Sequence, residues 1–384
     1  MTLPRTAEIV IIGGGVMGAS TAYHLAADGQ KDVLLLEKEE FFGQGATGRC
    51  AGGVRYQFST EINVRLSLAS LPMLEHFKDE IGQEINYQKC GYLFALTNPA
   101  DVDYFSRNVE LQRSLGVQTE WLTGDEVRYR LPLMHFADAL AGTFNAKDGL
   151  VDPNSVVMGY ISTAQRKGVA ALNKVTVTGI RANKGRVTGV ETDKGFVAAP
   201  VVVDAAGPWA GSVGEMAGVH IPITPIRRQM LTTTRLPDLP ADFPFVIDFA
   251  QSLYFHREGD GLLTGMSNAA EKPGFDQNVD DAFELLHLDA ASARLPLLEK
   301  AGLVSHWAGL YEVTPDAHPI FGKTPVEGFF VVAGFSGHGF MHGPISGKLM
   351  AEFLHEGKFK SMDVSMLDLA RFDEGRLIRE YNVV

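Results

Sequence analysis

Three glycines and one acidic residue near the N-terminus have the spacing of a dinucleotide-binding motif. Gly13, Gly15 and Gly18 form a G-x-G-x-x-G pattern, and Glu37 follows the last of them by nineteen residues. Such glycines provide a tight turn, room for a pyrophosphate to approach the backbone, and close packing of the next helix. A carboxylate at Glu37 can bind a ribose 2′-hydroxyl and would repel a 2′-phosphate. The spacing therefore predicts a dinucleotide site.

The elements around these residues fit that interpretation. The apolar run Ile9–Ile12 predicts a buried parallel strand, residues 19–29 predict the helix after the turn, and Val33–Leu36 predicts a second strand that ends at Glu37. The N-terminus of such a helix offers unpaired N–H groups and the positive end of its dipole to phosphates. Strand, turn, helix, strand and acid thus occur in the order that the site requires.

The bulk composition is that of a globular protein. A chain of 384 residues with 45% hydrophobic and 21% charged residues can form a large core, and the length favours two or three domains. The balance of 34 basic and 46 acidic residues gives a net charge of −12, which argues against nucleic acid or an anionic membrane as a partner.

Cysteine content and hydropathy indicate a compartment. Cys50 and Cys90 cannot build a disulfide framework or a four-thiolate metal site, and they suit reducing conditions. The first predicted strand begins about eight residues from Met1, which leaves no room for a signal peptide. No apolar run approaches the ~18 residues of a membrane span. We therefore expect a cytoplasmic enzyme without a membrane span or a metal site.

The rest of the chain alternates between two kinds of element. Helical periodicity or capping residues predict helices over 62–81, 101–115, 154–167, 280–295 and 347–355, and another that begins after Thr123. Strands are predicted over 91–97, 175–180, 186–192, 195–198, 201–204, 223–234, 245–255, 261–266, 304–313 and 329–333. The strands between 223 and 266, with their proline-rich joints, indicate an antiparallel sheet unlike the first unit. Because the two kinds of sheet interleave along the chain, we expect each domain to be discontinuous.

Four further segments accompany the glycine turn: GATGRCAGGVR from Gly45, DAAGPWA from Asp204, YEVTPD from Tyr311 and GFSGHGF from Gly334. Together, and in this order, they resemble the glycine oxidase/D-amino acid oxidase-like family of FAD enzymes, most closely its sarcosine oxidase, dimethylglycine dehydrogenase and L-proline dehydrogenase branches. The resemblance implies an α/β fold, α+β overall: a Rossmann-like FAD-binding domain (1–85, 146–218 and 315–384) and an interleaved antiparallel-sheet substrate domain (86–145 and 219–314), with the flavin ring between them.

The resemblance also implies which residues hold FAD. The glycine-rich loop would follow the pyrophosphate and the ring edge, and the helix after GFSGHGF would stabilise negative charge on the reduced ring through its free N–H groups. The expected cofactor residues are Gly13, Gly15, Val16, Met17, Gly18, Glu37, Lys38, Gly45, Ala46, Thr47, Arg49, Cys50, Ala51, Gly52, Gly53, Val175, Ala205, Ala206, Gly207, Trp209, Gly309, Tyr311, Gly334, Phe335, Ser336, Gly337, His338, Gly339, Phe340 and Met341.

The implied reaction is oxidation of a small secondary or N-methylated amino acid such as sarcosine, dimethylglycine or proline. A hydride would pass from the carbon beside an unprotonated nitrogen to flavin N5, and the resulting imine would hydrolyse. In the leading interpretation O₂ accepts the electrons and H₂O₂ is produced. Two alternatives stay open: a dehydrogenase that passes electrons to a partner protein or quinone, and a flavoprotein that serves assembly without turnover.

Four side chains are the candidates for the reaction site. Arg55 stands where sarcosine oxidases bind the substrate carboxylate, which a guanidinium grips through two parallel bonds; an ordinary salt bridge is the alternative. Tyr254 and His256 are two residues apart in a predicted strand, so their side chains lie on the same face. They either line the substrate pocket or only pack in the core. Met341 is catalytic or a plain apolar wall. Arg228 and Gln229 face either the substrate or solvent, and His338 is expected to contact the ring.

This chain departs from the sarcosine oxidase pattern in three places. Gly309 replaces the cysteine that tethers the flavin, so we expect FAD to be non-covalent, although Cys50 lies near the position where dimethylglycine dehydrogenases carry a tethering histidine. Met341 replaces a lysine that helps bind the carboxylate. An apolar residue near Leu263 replaces the lysine that activates oxygen, which weakens the oxidase interpretation.

Overall fold

The computed structural model describes residues 2–384 and has two large β-sheets. In chain order its strands are β1 (Ile9–Ile12), β2 (Val33–Leu36), β3 (Gly53–Val54), β4 (Tyr92–Leu96), β5 (Glu120–Thr123), β6 (Ala141–Asn145), β7 (Gly149–Leu150), β8 (Ala170–Leu172), β9 (Val177–Asn183), β10 (Arg186–Thr192), β11 (Gly195–Ala198), β12 (Val201–Asp204), β13 (Thr224–Thr233), β14 (Phe245–Asp248), β15 (Leu253–Glu258), β16 (Gly261–Met266), β17 (Leu303–Val313), β18 (Ile320–Lys323) and β19 (Phe329–Ala333). Its α-helices are α1 (Val16–Ala27), α2 (Glu61–Glu75), α3 (Phe77–Ile81), α4 (Pro99–Ser114), α5 (Gly124–Arg130), α6 (Pro153–Arg166), α7 (Ala210–Met216), α8 (Asp281–Arg294) and α9 (Gly339–Glu356).

The first sheet contains the predicted dinucleotide unit. Its strand order is β18-β19-β12-β1-β2-β8, and all neighbours are parallel except β18 and β19. β1 and β2 are continuous apolar runs because both faces of this sheet are covered. Ile9 and Ile11 pack with α1, α6 and α9, whereas Val10 and Ile12 pack on the opposite face, with the three-stranded β9–β10–β11 sheet and α7.

Close contact between α1 and α9 sets the position of both helix N-termini. A Cβ at Gly343 would lie 2.4 Å from Val16 Cγ2, and one at Gly347 would lie 2.2 Å from Ser20 Oγ. The two glycines thus allow the helices to approach each other closely. α9 begins at Gly339, close to where the resemblance places a helix after GFSGHGF but eight residues before the separately predicted range 347–355, and Pro344 lies inside it. The sequence prediction stopped short because proline and glycine disfavour helix in isolation, and tertiary packing overrides that preference.

The second sheet has the order β17-β13-β16-β15-β14-β4-β6-β5. It is antiparallel, as predicted, except where β4 and β14 pair in parallel, with Tyr92 opposite Phe245. The predicted strand 245–255 is a hairpin of β14 and β15. The predicted helix 62–81 is two helices, α2 and α3, that meet at His76. The predicted fold class, a mixed α/β protein with a parallel and an antiparallel sheet, is confirmed.

The distribution of the strands supports the proposed domain division. Every strand of the first sheet lies within 1–85, 146–218 or 315–384, and every strand of the second lies within 86–145 or 219–314. We keep these boundaries as a proposal. No helix within residues 2–384 is both long enough and apolar enough to cross a bilayer.

Candidate active site

The glycine turn leaves an open space above the N-terminus of α1. Gly13 has φ of +110°, and a Cβ there would lie 2.4 Å from the Ala205 carbonyl oxygen. A Cβ at Gly18 would lie 1.9 Å from the Gly13 carbonyl oxygen, so Gly18 serves helix packing below the turn. A Cβ at Gly15 would meet only Thr47 Oγ1, at 3.2 Å, and would otherwise project into the cavity. Gly15 is therefore the position that keeps space for a ligand.

Acidic, basic and aromatic side chains border the same space. The buried Glu37 carboxylate accepts hydrogen bonds from the backbone N–H groups of Gly14 (2.7 Å) and Glu39 (2.8 Å), and burial raises its pKa. Lys38 Nζ lies 3.4 Å from the centre of the Trp209 ring, a cation–π contact. These contacts connect the end of β2 to the turn after β12.

This first cavity has a volume of about 1150 Å³ and brings most of the predicted cofactor residues together. They are Gly13, Gly15, Val16, Met17, Glu37, Lys38, Gly45, Ala46, Thr47, Cys50, Val175, Ala205, Ala206, Gly207, Trp209, Tyr311, Gly337, Gly339 and Phe340. The sequence reasoning missed others on its wall: Ile12, Leu36, Glu39, Thr176, Val177, Pro208, Val213, Leu310 and Glu312.

Glu312 is the most unusual of the missed residues. It is partly buried in the cavity wall, its Oε1 accepts a hydrogen bond from Phe335 N at 3.2 Å, and its Oε2 has no partner within the described residues. Burial raises the pKa of Glu312 to about 7. Its position next to Tyr311, a predicted cofactor residue, could have indicated that Glu312 belongs to the site. A single sequence gives no sign, however, that this acid is buried.

The loop before β3 connects the first cavity to a second. Arg49 donates to the Ala308 carbonyl at 2.8 Å, and the Arg49 carbonyl accepts from Trp307 Nε1 at 3.0 Å. Arg49 therefore fixes the loop to β17 through backbone groups. A Cβ at Gly53 would lie 1.6 Å from Tyr92 Oη, so this glycine lets the loop pass against the second sheet.

The second cavity, of about 810 Å³, shares Ala46, Cys50, Leu310, Tyr311, Gly337 and Phe340 with the first. Its other predicted residues are Arg49, Ala51, Gly52, Gly53, Arg55, Tyr254, Gly309, Ser336, His338 and Met341, together with Arg228, whose placement the sequence left open. The sequence reasoning missed its apolar and aromatic walls, formed by Tyr92, Met230, Phe245, Ile247, Val383 and Val384.

Arg55 is one of three arginines, with Arg49 and Arg228, that line this cavity. It is 6% exposed, and its guanidinium donates to the backbone carbonyls of Gln57 and Asn382. Its carbon Cζ lies 4.0 Å from the centre of the Phe58 ring. Burial lowers the pKa of Arg55, and within residues 2–384 no carboxylate forms an ion pair with it. Arg228, the other arginine facing Tyr311, lies 5.0 Å from that ring.

Several predicted site residues line neither cavity. Gly18 lies beneath the turn, and Gly334 and Phe335 lie behind the cavity wall. His256 is buried, and its Nδ1 donates a hydrogen bond to the Arg257 carbonyl at 2.8 Å. It shares a strand face with Tyr254, as predicted, and both rings stack on Phe245, but only Tyr254 reaches the cavity. Gln229 bonds the backbone of Asp280 and faces neither substrate space nor solvent.

His338, for which a contact with the flavin ring is predicted, has an imidazole that is unpartnered within residues 2–384. It lines the second cavity, and neither ring nitrogen has a partner within the described residues. Its ring centre lies 5.2 Å from that of His342, whose Nε2 is 2.9 Å from Ser67 Oγ. Burial and the nearby positive charge of Arg55 keep the pKa of His338 well below its usual range. The imidazole is therefore neutral near pH 7.

Comparison with known proteins shows the family. The family model described as FAD dependent oxidoreductase matches residues 8–353. The chain belongs to this family. It is 32% identical to rat mitochondrial dimethylglycine dehydrogenase over 95% of this chain and 45% of that protein. It is also 32% identical to human mitochondrial sarcosine dehydrogenase over 98% of this chain and 43% of that protein. The chain thus spans about half the length of these curated relatives.

One solved structure matches this chain over nearly the full length of both proteins. The crystal structure of L-proline dehydrogenase from P. horikoshii aligns with a TM-score of 0.90 and 32% identity, and the match covers 98% of this chain and 100% of that one. The predicted resemblance to the amine-oxidising FAD enzymes is therefore confirmed at the level of the family, and FAD is its cofactor.

The residues fit FAD on the geometry of this chain itself. Gly15 leaves the pyrophosphate's approach open, and the first residues of α1 and α9 line the cavities. Neither N-cap residue caps its helix with a side chain, and Thr47 Oγ1 accepts a hydrogen bond from Val16 N at 3.2 Å. A Cβ at Gly309 would lie 3.0 Å from Arg49 Cβ, so this position offers neither a thiol nor room for one. Burial raises the pKa of the Cys50 thiol to about 11, which keeps it protonated and a poor nucleophile.

Proposed function

We propose that this chain dehydrogenates a small amino acid whose nitrogen is secondary or N-methylated, and that the electrons leave to an acceptor other than O₂. When bound, FAD supplies the hydride-accepting group next to the substrate carbon. The protein supplies a cation for the carboxylate, an apolar wall for the remainder of the substrate, and a neutral histidine near the ring.

The observation that carries the proposal is the buried guanidinium of Arg55, which forms no direct ion pair within residues 2–384 and lies in a cavity that shares residues with the FAD cavity. A buried cation requires an anionic or strongly polar partner, and a carboxylate fits a guanidinium through two parallel hydrogen bonds. Because apolar and aromatic side chains form much of the cavity wall, a small substrate with apolar carbons on or near its nitrogen is favoured over one with a charged side chain.

The choice of acceptor has separate support. Within residues 2–384 no lysine lines the second cavity, and Leu263, near the position of the oxygen-activating lysine by resemblance, is buried among apolar side chains. By resemblance, a lysine at that position would favour superoxide formation at the reduced ring. The arginines of this cavity, Arg49, Arg55 and Arg228, donate instead to backbone carbonyls. The curated relatives and the structural match named above are all called dehydrogenases.

The test is anaerobic mixing of the FAD-loaded protein with sarcosine, dimethylglycine, proline, glycine and D-alanine. We expect bleaching of the flavin by at least one of the first three. Reoxidation should be slow on admitting air and fast with an artificial electron-accepting dye. Rapid reoxidation with stoichiometric H₂O₂ would replace the proposed acceptor with O₂. Failure of every amine to bleach the flavin would favour a role in assembly without turnover.

A further inference from the structure

A segment far away in sequence forms part of the second cavity. Val383 and Val384 line it, the Asn382 carbonyl accepts a hydrogen bond from Arg55 Nη2, and the Val384 backbone oxygen accepts one from Tyr311 Oη at 2.8 Å. We call residues 380–384 the 380–384 segment. It contacts both Arg55, the candidate anchor for the carboxylate, and Tyr311, which lines both cavities.

Glu380 fixes this segment to the N-terminus of α2. Its buried carboxylate accepts hydrogen bonds from Ser59 N (2.8 Å), Thr60 Oγ1 (2.9 Å) and Asn63 Nδ2 (3.0 Å). Thr60 is the N-cap residue of α2, and its side chain caps no backbone group of that helix. Glu380 thus fixes the residues just before α2, and Asn63 in its first turn, to the 380–384 segment, and it adds a second negative charge beside Glu61 at this helix N-terminus.

The same carboxylate also shapes its own segment. Glu380 accepts a hydrogen bond from Asn382 N at 3.0 Å, which turns the backbone so that the Asn382 carbonyl meets Arg55. Asn382 is completely buried, and its Oδ1 lies 3.3 Å from Asn108 Nδ2 of α4. The bond from Arg55 to Asn382 leaves other N–H groups of the guanidinium for a ligand, since arginine carries five.

We propose that the 380–384 segment, anchored by Glu380, positions Arg55 to receive the substrate carboxylate. This inference rests on the proposed function for the identity of the substrate, but the positioning itself concerns any small carboxylate in the second cavity. Glu380 is thus a positioning residue, because it acts through Asn382 and not on the substrate. A purely structural role would be limited to capping α2, and would change stability without changing carboxylate affinity.

The experiment measures carboxylate binding apart from turnover. The FAD-loaded protein is titrated with 2-furoate, a planar carboxylate without an oxidisable amine, and the shift in flavin absorbance gives the dissociation constant. Glu380→Gln should weaken binding by about tenfold, the factor expected when a hydrogen bond to a charged group is lost. Its FAD content should equal that of the unaltered protein. The matched control is Glu374→Gln, since Glu374 is 56% exposed and pairs only with Arg376 nearby.

A second variant keeps the test decisive if Glu380→Gln does not retain FAD. Asn382→Ala preserves the backbone carbonyl but removes the side chain that holds it against α4, and it should weaken 2-furoate binding in the same direction. Unchanged 2-furoate affinity in an FAD-loaded variant would overturn the inference. If the unaltered protein binds 2-furoate but no amine bleaches its flavin, the proposed function fails while the positioning role stands.

Discussion

The Glu37 carboxylate receives a 2.7 Å hydrogen bond from the Gly14 backbone N–H. This contact connects the end of β2 to the glycine turn after β1, two parts of the nucleotide site that are 23 residues apart. A second bond from Glu39 N uses the other oxygen, so the carboxylate is oriented before any ribose binds. The turn and its acidic residue therefore form one preorganised unit.

Gly15→Val should abolish FAD binding while leaving the fold intact. A Cβ at this position meets only Thr47 Oγ1 among protein atoms, at 3.2 Å, whereas a branched side chain would fill the pyrophosphate's approach. The measurement is flavin content after purification with added FAD, together with circular dichroism. Gly274→Ala is the control, because a Cβ there meets nothing within 4 Å. A yellow Gly15→Val protein would contradict the prediction.

The predicted residues that line the first cavity include several that depend on local backbone requirements. Gly13 needs a positive φ, Gly15 needs an empty Cβ position, and Glu37 follows a strand, so each leaves a mark in the residue type itself. Arg55 was found only through the family resemblance, because nothing local separates a buried arginine from an exposed one.

The parts that were missed depend on contacts between distant segments. Asn382 meets Arg55 across 327 residues of sequence, and no periodicity or capping signal indicates such a pairing. Tyr254 and His256 share a strand face, as alternation requires, yet strand residues two apart lie about 7 Å from each other. Both rings stack on Phe245, but the second cavity reaches Tyr254 and not His256. Only the packed structure reveals this difference.

Arg55→Ala should reduce kcat/KM for amino acid substrates. The loss of transition-state stabilisation should be about 2–4 kcal/mol, the cost of removing a charged hydrogen-bond partner of the carboxylate. The comparison uses steady-state rates with the unaltered protein, and FAD content confirms that the cavity is intact. Arg65→Ala provides the control, since Arg65 is half exposed and pairs with Glu61 on the surface of α2. Equal kcat/KM in the Arg55 variant and its parent would remove Arg55 as the anchor.

Acid precipitation should release the flavin into the supernatant. Gly309 has no nucleophile, and the Cys50 thiol, with a pKa raised to about 11 by burial, is not a thiolate at neutral pH. Absorbance of the supernatant and pellet after denaturation provides the measurement. Colour that stays with the pellet would show a covalent bond, and Cys50→Ser would then test whether Cys50 forms it.

Glu312→Gln should change how stability depends on pH. The pKa of Glu312 in the folded protein is about 7 because of burial, above its ordinary value of 4.5. The folded state therefore binds a proton that the unfolded state releases, so this contribution is complete below about pH 4.5 and is lost as pH rises towards 7. The difference corresponds to about 3 kcal/mol between the two ends of that range.

The glutamine variant is neutral at every pH and retains an oxygen for the Phe335 N–H, so it should not show this loss. Thermal melting of both proteins between pH 5 and 8, at one saturating FAD concentration, measures the effect. The parent should lose stability relative to Glu312→Gln as pH rises, and the gap should stop growing above about pH 7. A constant gap across the range would mean that Glu312 is not protonated in the folded protein.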